Sequence, residues 1–525
     1  MDASQLILEA IKKNCAVEAD LRKLKIKAAG ISGKLFRNSD LIAAYSELLS
    51  EGKIQPQPAL ERVLKKARIR TLSGVSPVAV LTKEWGCPGK CIYCPTEKGM
   101  PKSYLSNEPA VMRANRVKFD PYLQVKTRLE ALTACGHETT KVELIVMGGT
   151  FSALPKRYQT WFISRCLEAL NEGVKGKRDL ESLKKTNEKA KHRMVGLTLE
   201  TRPDCITPAE VKRFLQLGAT RVELGAQSTS NEILKKTKRG CDTAATKQAV
   251  KLLKDAGLKV GLHFMPNLPG ATPASDFAMF QEVYGSEDYS PDQLKIYPCA
   301  LIANTELVKW WKQGKWKPYN DAALTKLLAK IKGITPEWIR LSRVIRDIPA
   351  ESILAGSKIT NLRQILQQQG AKCNCIRCRE IRGGKIDEKK IKLVRREYAA
   401  SGGLEIFLSF EEDEKLIALT RLRLQAVKDF AFVRELHTYG EELGIGGRGD
   451  SQHRGFGKKL IAEAEKIAKQ SGYKKLKIIS GVGVREYYRK LGYSLDREKI
   501  YMEKKLGKGL RIKFLDFFLR FIRSS

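Results

Sequence analysis

The sequence has no run of about 18 apolar residues, so no segment reads as a membrane-spanning helix. Its first residues, MDASQLILEAIKKNC, read as a short amphipathic helix without a signal cleavage site. With no export signal in view, the 12 cysteines argue against a disulfide framework and a cytoplasmic chain is expected. Acidic residues are scarce: 58 Asp and Glu stand against 96 Lys and Arg, a formal net charge of +38. The excess runs along the whole chain rather than sitting in one tail. A general solubility effect is one reading of it; a polyanionic partner, nucleic acid above all, is the sharper one. At 42% hydrophobic residues, the 525-residue chain can bury sizeable cores, which excludes a disordered protein and suggests two to four domains.

Residues 1–75 read as helical and basic. Leu6, Ile7, Ala10 and Ile11 have helical spacing, as do Leu41, Ile42, Tyr45 and Leu48. Lys23, Lys25, Lys27, Lys65, Lys66, Arg68 and Arg70 make either a solvated face or a nucleic-acid arm. From 76 to about 300, the short apolar runs VAVL, LIVM, GLTL, RVELG and VGLHF read as buried strands alternating with helices such as 206–217 and 243–256. That alternation predicts parallel strands in an α/β barrel or doubly wound sheet. The charged stretch 172–193 reads as an exposed insertion or linker helix, and 300–345 as helical. From 392 to 503 the strands LEIFLSF and LIALTRLRL come close together, as in an antiparallel sheet, followed by a helix at 456–470 and a strand at 476–481. This reads as a separate α+β domain. The tail 506–525 mixes Phe and Leu with Arg and Lys; packing onto protein is the plain expectation and membrane-surface association the alternative.

Two cysteine groups stand out. Cys87, Cys91 and Cys94 have the spacing C-x3-C-x2-C, with Tyr93 before the last. Three thiolates can hold three irons of a [4Fe–4S] cluster and leave the fourth open to chelate S-adenosylmethionine. Zinc is the alternative, but it ordinarily takes four ligands and no fourth is local. The trio shortly follows the strand VAVLT, as a site at strand C-terminal ends requires. Gly148, Gly149 and Thr150 end the next strand; glycines there let a ligand approach the backbone. Glu200, Gln227 and His263 end further strands, and Lys295 and Tyr297 another, so one face gathers polar groups. Lys295 and Tyr297 are candidates to position a substrate. The second group, Cys373, Cys375 and Cys378, reads as a structural zinc site at the domain junction, again with no evident fourth ligand.

Gln452, Gly455 and Gly457 fit Q-x-x-G-x-G opening a helix, whose N-terminal N–H groups make an anion site suited to a pyrophosphate such as that of coenzyme A. This arrangement resembles an acetyltransferase fold of the GNAT type, with Tyr487 or Tyr488 near the thioester.

The stretches CPGKCIYCP, NEPAVMRANRVKFDPYLQ, KVELIVMGGTF, GLTLETRPD, RVELGAQS, HFMPNLPG, KIYPCALI, RVIRDIP, RELHTYG, QHRGFG and ISGVGVREYYRKLGY, in that order, resemble the catalytic subunit of Elongator and its stand-alone archaeal and bacterial relatives. The likeness spans about 76–503. It implies a partial TIM-type radical S-adenosylmethionine barrel at 76–345, a Cys-rich junction at 346–391 and a GNAT-type domain at 392–503, after the basic helical region and before the tail 504–525. It implies that Gly148–Thr150 form the turn binding the methionine amino group. Lys141, Glu435, Leu436, His437, Thr438, Phe456, Gly457, Lys458 and Tyr488 look like acetyl-CoA positions. The family converts the wobble uridine of tRNA to 5-carboxymethyluridine with acetyl-CoA as carbon source; a deoxyadenosyl radical is thought to activate the acetyl methyl group. Its spacing between the first two cluster cysteines is often longer than here, and the tail lies beyond the match. Neither a homodimer nor accessory subunits are required by the sequence. Two other readings are a tRNA-binding scaffold with a degenerate radical site, disfavoured by the intact trio and loop, and a protein lysine acetyltransferase using Glu435, His437 or Glu442 as general base.

Overall fold

The computed structural model describes residues 1–65, 71, 73–173, 179–382, 386–425, 428–440 and 455–507. Helices Ala3–Lys12, Glu18–Ser32, Asn38–Ser50 and Pro58–Leu64 close on a small core of their own, including Leu6, Ile7, Leu21, Leu41 and Leu60. Asp2 starts the first of them with a reciprocal capping box to Gln5. No helix among the described residues is long and apolar enough to cross a membrane.

The central sheet comprises β1 (Ser76–Leu81), β2 (Lys141–Met147), β3 (Arg193–Thr201), β4 (Arg221–Gln227), β5 (Lys259–Phe264) and β6 (Gln293–Ile296). After the short β7 (Leu301–Ile302), β8 (Arg340–Arg343) completes it; β9 (Ile353–Ala355) pairs only with β7. The order β1-β2-β3-β4-β5-β6-β8 is parallel throughout, a curled half-barrel backed by crossover helices such as Lys156–Leu170 and Thr243–Asp255. Thr207, Asp242 and Thr272 cap three of the helices behind the sheet, so those three turns into a helix are written into the sequence.

These strands are not buried evenly on both faces. Val142, Leu144 and Val146 of β2, Val222 and Leu224 of β4, and Val260, Leu262 and Phe264 of β5 face the outer helices and are fully buried or nearly so. The alternate residues, Lys141, Glu143, Ile145 and Met147 of β2, then Arg221, Glu223, Gly225 and Gln227 of β4, line a concave cavity. Two further expectations are corrected. The stretch 172–193 is not a free linker: helix Leu180–Asn187 buries Leu183, Lys184 and Asn187 against helix Lys156–Leu170, and Asn187 accepts from the N–H of Met194 in β3 (residues 174–178 lie outside the described residues). And 300–345 is not all helix, since β8 supplies the last barrel strand.

The second sheet holds β10 (Lys392–Ala400), β11 (Gly403–Glu412), β12 (Lys415–Leu424), β13 (Phe430–Thr438), β14 (Lys475–Ile479), β15 (Ser494–Leu495) and β16 (Tyr501–Lys505). It is antiparallel except for the β13–β14 pair, which helix Phe456–Gln470 bridges with Leu460, Ile461, Ala464 and Ile467 inward. The two sheets are locked together. Gly481 lies so close to β3 that a Cβ there would stand 2.0 Å from the Val195 carbonyl oxygen. Trp338 stacks on Tyr398 at 4.6 Å between ring centroids. Arg485 and Arg489 both reach Glu188, at 3.2 and 2.6 Å.

Candidate active site

A cavity of about 1200 Å³ occupies the hollow of the half-barrel and continues into the second domain. Cys87, Cys91 and Cys94 line it beyond the C-terminal ends of the strands. Lys141, Arg221 and Lys259 line it where β2, β4 and β5 begin, and Glu435, His437 and the first turn of helix Phe456–Gln470 close that side. At 3.3 Å per residue, the seven residues of β2 carry it roughly 20 Å.

At the cysteine end, Thr150 Oγ1 lies 3.4 Å from Cys87 Sγ, and Arg239 Nη1 lies 3.7 Å from Cys91 Sγ. Burial pushes the Cys94 thiol up to about 11. Arg202 is held by Asp204 and by the carbonyl of Arg239, while its Nη1 is buried with no hydrogen-bond partner. That nitrogen points at Gly89, where a Cβ would stand 2.1 Å away. Two guanidinium groups beside three thiols fit a thiolate-bound, anionic iron–sulfur centre: they supply the positive charge that such a centre needs when buried.

The glycine turn after β2 divides its work. Gly148 has φ +129° and packs against Thr82; Gly149, at φ +93°, and Thr150 face the cavity. Gln227 ends β4 at φ +74°, a left-handed conformation unusual for its residue type, where the register with β5 slips. Glu200 accepts from the Tyr104 hydroxyl at 2.7 Å, and Lys295 ion-pairs with Glu223. Tyr297 is close by, its ring edge-on to His263 at 5.5 Å between centroids.

At the other end Gly455, at φ +84°, turns the chain into helix Phe456–Gln470, and Gly457 faces the Tyr487 hydroxyl. Burial pushes Tyr487 up to about 12. Tyr488 is buried behind it, also on the cavity wall. Glu435 pairs with Lys259 at 3.1 Å and with Arg421 at 2.7 Å. His437 Nε2 lies 2.7 Å from the Ser73 carbonyl, and burial lowers its pKa. Leu436, Thr438 and Lys458 also line this end. Gln452, Glu442 and the tail from 508 lie outside the described residues.

Residues 86–280 match the Radical SAM superfamily, 291–371 the Radical_SAM C-terminal domain, and 378–493 the Acetyltransferase (GNAT) family. The chain is 46% identical over 491 residues to the tRNA uridine(34) acetyltransferase of Methanocaldococcus infernus, covering 88% of this chain and 91% of that protein. It is 39% identical over 516 residues to the Elongator complex protein 3 of Homo sapiens, covering 91% and 92%. The chain belongs to the Elongator protein 3 family. The solved structure of Methanocaldococcus infernus Elp3 with an N-terminal deletion matches at a TM-score of 0.72 and 44% identity, over 82% of this chain and 99% of that one. A radical S-adenosylmethionine half-barrel followed by a GNAT domain is thus the architecture of this Elongator-type chain, and the radical family implies a [4Fe–4S] cluster with S-adenosylmethionine.

In this Elongator-type chain the second cysteine group is drawn together as well: the sulfurs of Cys373, Cys375 and Cys378 lie within 4.8 Å of one another. Cys373 and Cys375 precede helix Ile376–Arg379 and Cys378 lies within it; the helix is wedged between β8 and β12, with the N–H of Ile376 on the Ile339 carbonyl at 3.0 Å. Cys299, whose role the sequence left open, is packed among Ile92, Leu268 and Trp316. The sequence reading missed Glu143, Arg221, Glu223 and Lys259. For the first three the signal was present: in KVELIVM and RVELGAQ, charged residues occupy alternate positions, the mark of a strand with one wet face.

Proposed function

We propose that this chain is a tRNA uridine(34) acetyltransferase that uses acetyl-CoA to build 5-carboxymethyluridine at the wobble position. One observation carries the reading: a single cavity is walled at one end by the cysteine trio and at the other by the acyltransferase helix. Cys87, Cys91 and Cys94 hold the cluster; with S-adenosylmethionine bound, it supplies one-electron chemistry able to activate a C–H bond. Gly149, Thr150, Glu200 and Gln227 surround that cofactor. The N–H groups of Phe456, Gly457 and Lys458 receive the coenzyme A pyrophosphate, with Gln452 from the preceding loop. Lys141, Glu435–Thr438 and Tyr488 line the path of the acyl arm, which runs along the barrel's inner face. Lys295 and Tyr297 hold the acyl or uracil carbonyl. A base must leave its stack to enter such a pocket, and the excess of Lys and Arg, with the helical region 1–75 as an arm, draws in the tRNA phosphates.

We take the units as 1–75, 76–345, 346–391, 392–503 and 504–525. Cys373, Cys375 and Cys378 bind a structural zinc at the junction, as their mutual approach supports. A homodimer and accessory subunits are compatible with this reading and not required by it, and the cytoplasm is where its substrate resides. Anaerobic reconstitution with iron, sulfide, a one-electron reductant such as dithionite, S-adenosylmethionine, acetyl-CoA and tRNA tests it. Carboxymethyluridine should form and vanish in Cys91→Ala; acetyl-lysine formed without iron would instead favour the lysine acetyltransferase.

A further inference from the structure

Midway along the cavity wall Lys295 forms an ion pair whose carboxylate, Glu223, has no role so far. Glu223 sits within β4 and is 3% exposed. Its carboxylate accepts from Lys295 Nζ of β6 and lies 3.2 Å from His263 Nε2 of β5 and 3.6 Å from Arg221 Nε. Glu200 Oε1 of β3 stands 3.7 Å from the same Lys295 nitrogen. Glu200, Glu223 and His263 bring their ligand atoms within 4.8 Å of one another, a set that could grip a cation. The ammonium of Lys295 already stands among them, so the site carries its own cation.

We propose that Glu223 is a positioning residue: it pins Lys295 on the cavity wall as a permanently charged donor aimed at a carbonyl oxygen of the substrate. The aim at a carbonyl rests on the function proposed above; the hold of Glu223 on Lys295 does not. A lysine this enclosed loses most of its hydration, and burial drives it toward the neutral form. Glu223 reverses that, with Tyr297 and Glu200 as smaller contributors, and Lys295 is held above the ordinary lysine range. Glu223 itself stays ionised although burial opposes it, because Lys295, His263 and Arg221 surround it. Arg343 and Glu143 are the other charged groups near enough to act on this carboxylate. Glu200 cannot replace it well, being farther away and already engaged by Tyr104. A neutral amine would still fit the space, but it would polarise a carbonyl far less and could swing off its anchor.

The test is amine labelling of Lys295 in the full-length protein, read by mass spectrometry from about pH 7 to 11, around the ordinary lysine value. No tRNA, cluster or acetyl-CoA is needed, so the result stands even if the proposed activity fails. Wild-type Lys295 should resist labelling beyond that value. In Glu223→Gln the midpoint should fall by about one unit or more, roughly tenfold faster labelling at a fixed pH below it. Identical curves overturn the proposal. Where the Gln variant does not fold, Glu223→Asp gives the reading: any fall below wild type supports it, and none overturns it. In turnover, the alkaline limb of kcat in Glu223→Gln should follow the labelling midpoint, with KM for tRNA little changed. A fall in kcat without a moved limb removes the catalytic half of the proposal.

Discussion

Arg434 of the acetyltransferase sheet donates two hydrogen bonds to Asp292, the residue that leads into β6 of the radical sheet, at 2.9 and 2.6 Å, with neither side chain exposed. Glu405 shares the same guanidinium, Arg421 and Lys254 flank Asp292, and Arg423 ties Glu405 to Asp255. The two domains thus meet through a buried network of charges rather than an apolar seam. Such a network demands geometry and satisfaction more than it adds net stability.

Removing one member strands the others. Arg434→Ala leaves the buried Asp292 and Glu405 short of their main partner, at a cost of about 3–5 kcal/mol. Chemical denaturation should show that loss together with early separation of the domains. A replacement of Arg434 that changes stability by under about 1 kcal/mol would show that the junction is solvated in solution.

The same network sets a pH dependence. Burial alone would raise Asp292, Glu405 and Glu435; Arg434 and Lys254 for the first two, and Lys259 and Arg421 for the third, hold them below the carboxylate range instead. The native chain therefore binds fewer protons than the unfolded one at low pH. The stability these groups contribute is complete above the unfolded values near 4 and is lost as pH falls toward the folded ones. The melting temperature should fall from about pH 5 downward, and Asp292→Asn should flatten that slope.

Gly457→Ala addresses the acyl end. The added methyl would stand 2.8 Å from the Tyr487 hydroxyl, in the turn proposed to take the pyrophosphate. The expected outcome is at least about a tenfold rise in KM for acetyl-CoA, one lost pyrophosphate contact, with cluster content unchanged. Isothermal titration with coenzyme A checks it separately from turnover.

Metal analysis of the purified chain should find about one zinc besides the iron, the stoichiometry of a single structural site. Cys375→Ser should release it and lower the melting temperature without bleaching the iron–sulfur absorption, since the two cysteine groups stand on different elements. Zinc retained in that variant would place the metal elsewhere.

Much of this was legible in the sequence. Local rules sufficed for the order of strands and helices: caps such as Asp242, apolar runs such as LIVM, and the glycine turn after Met147 are signals a few residues long. The first cysteine trio was legible because metal chemistry fixes ligand spacing. The layer each strand face meets was not: alternate charges in KVELIVM and RVELGAQ mark a wet face, but only the concavity of the sheet shows which residues have no partner layer. Nor was the partnership of Glu223 with Lys295, 72 residues apart, since register across three strands joins them. Arg434 and Asp292, 142 residues apart, are a longer case of the same kind.

The inner face of β2 runs from Lys141 beside the acyltransferase helix to Met147 near the cysteines. On the function proposed above, a thioester anchored by its nucleotide end must be carried on a tether about as long as that strand, roughly 20 Å. The barrel acts as a ruler. Donors clipped to a small thiol keep the reactive group and lose the reach, so they should bind loosely and react slowly together, however reactive their acyl carbon.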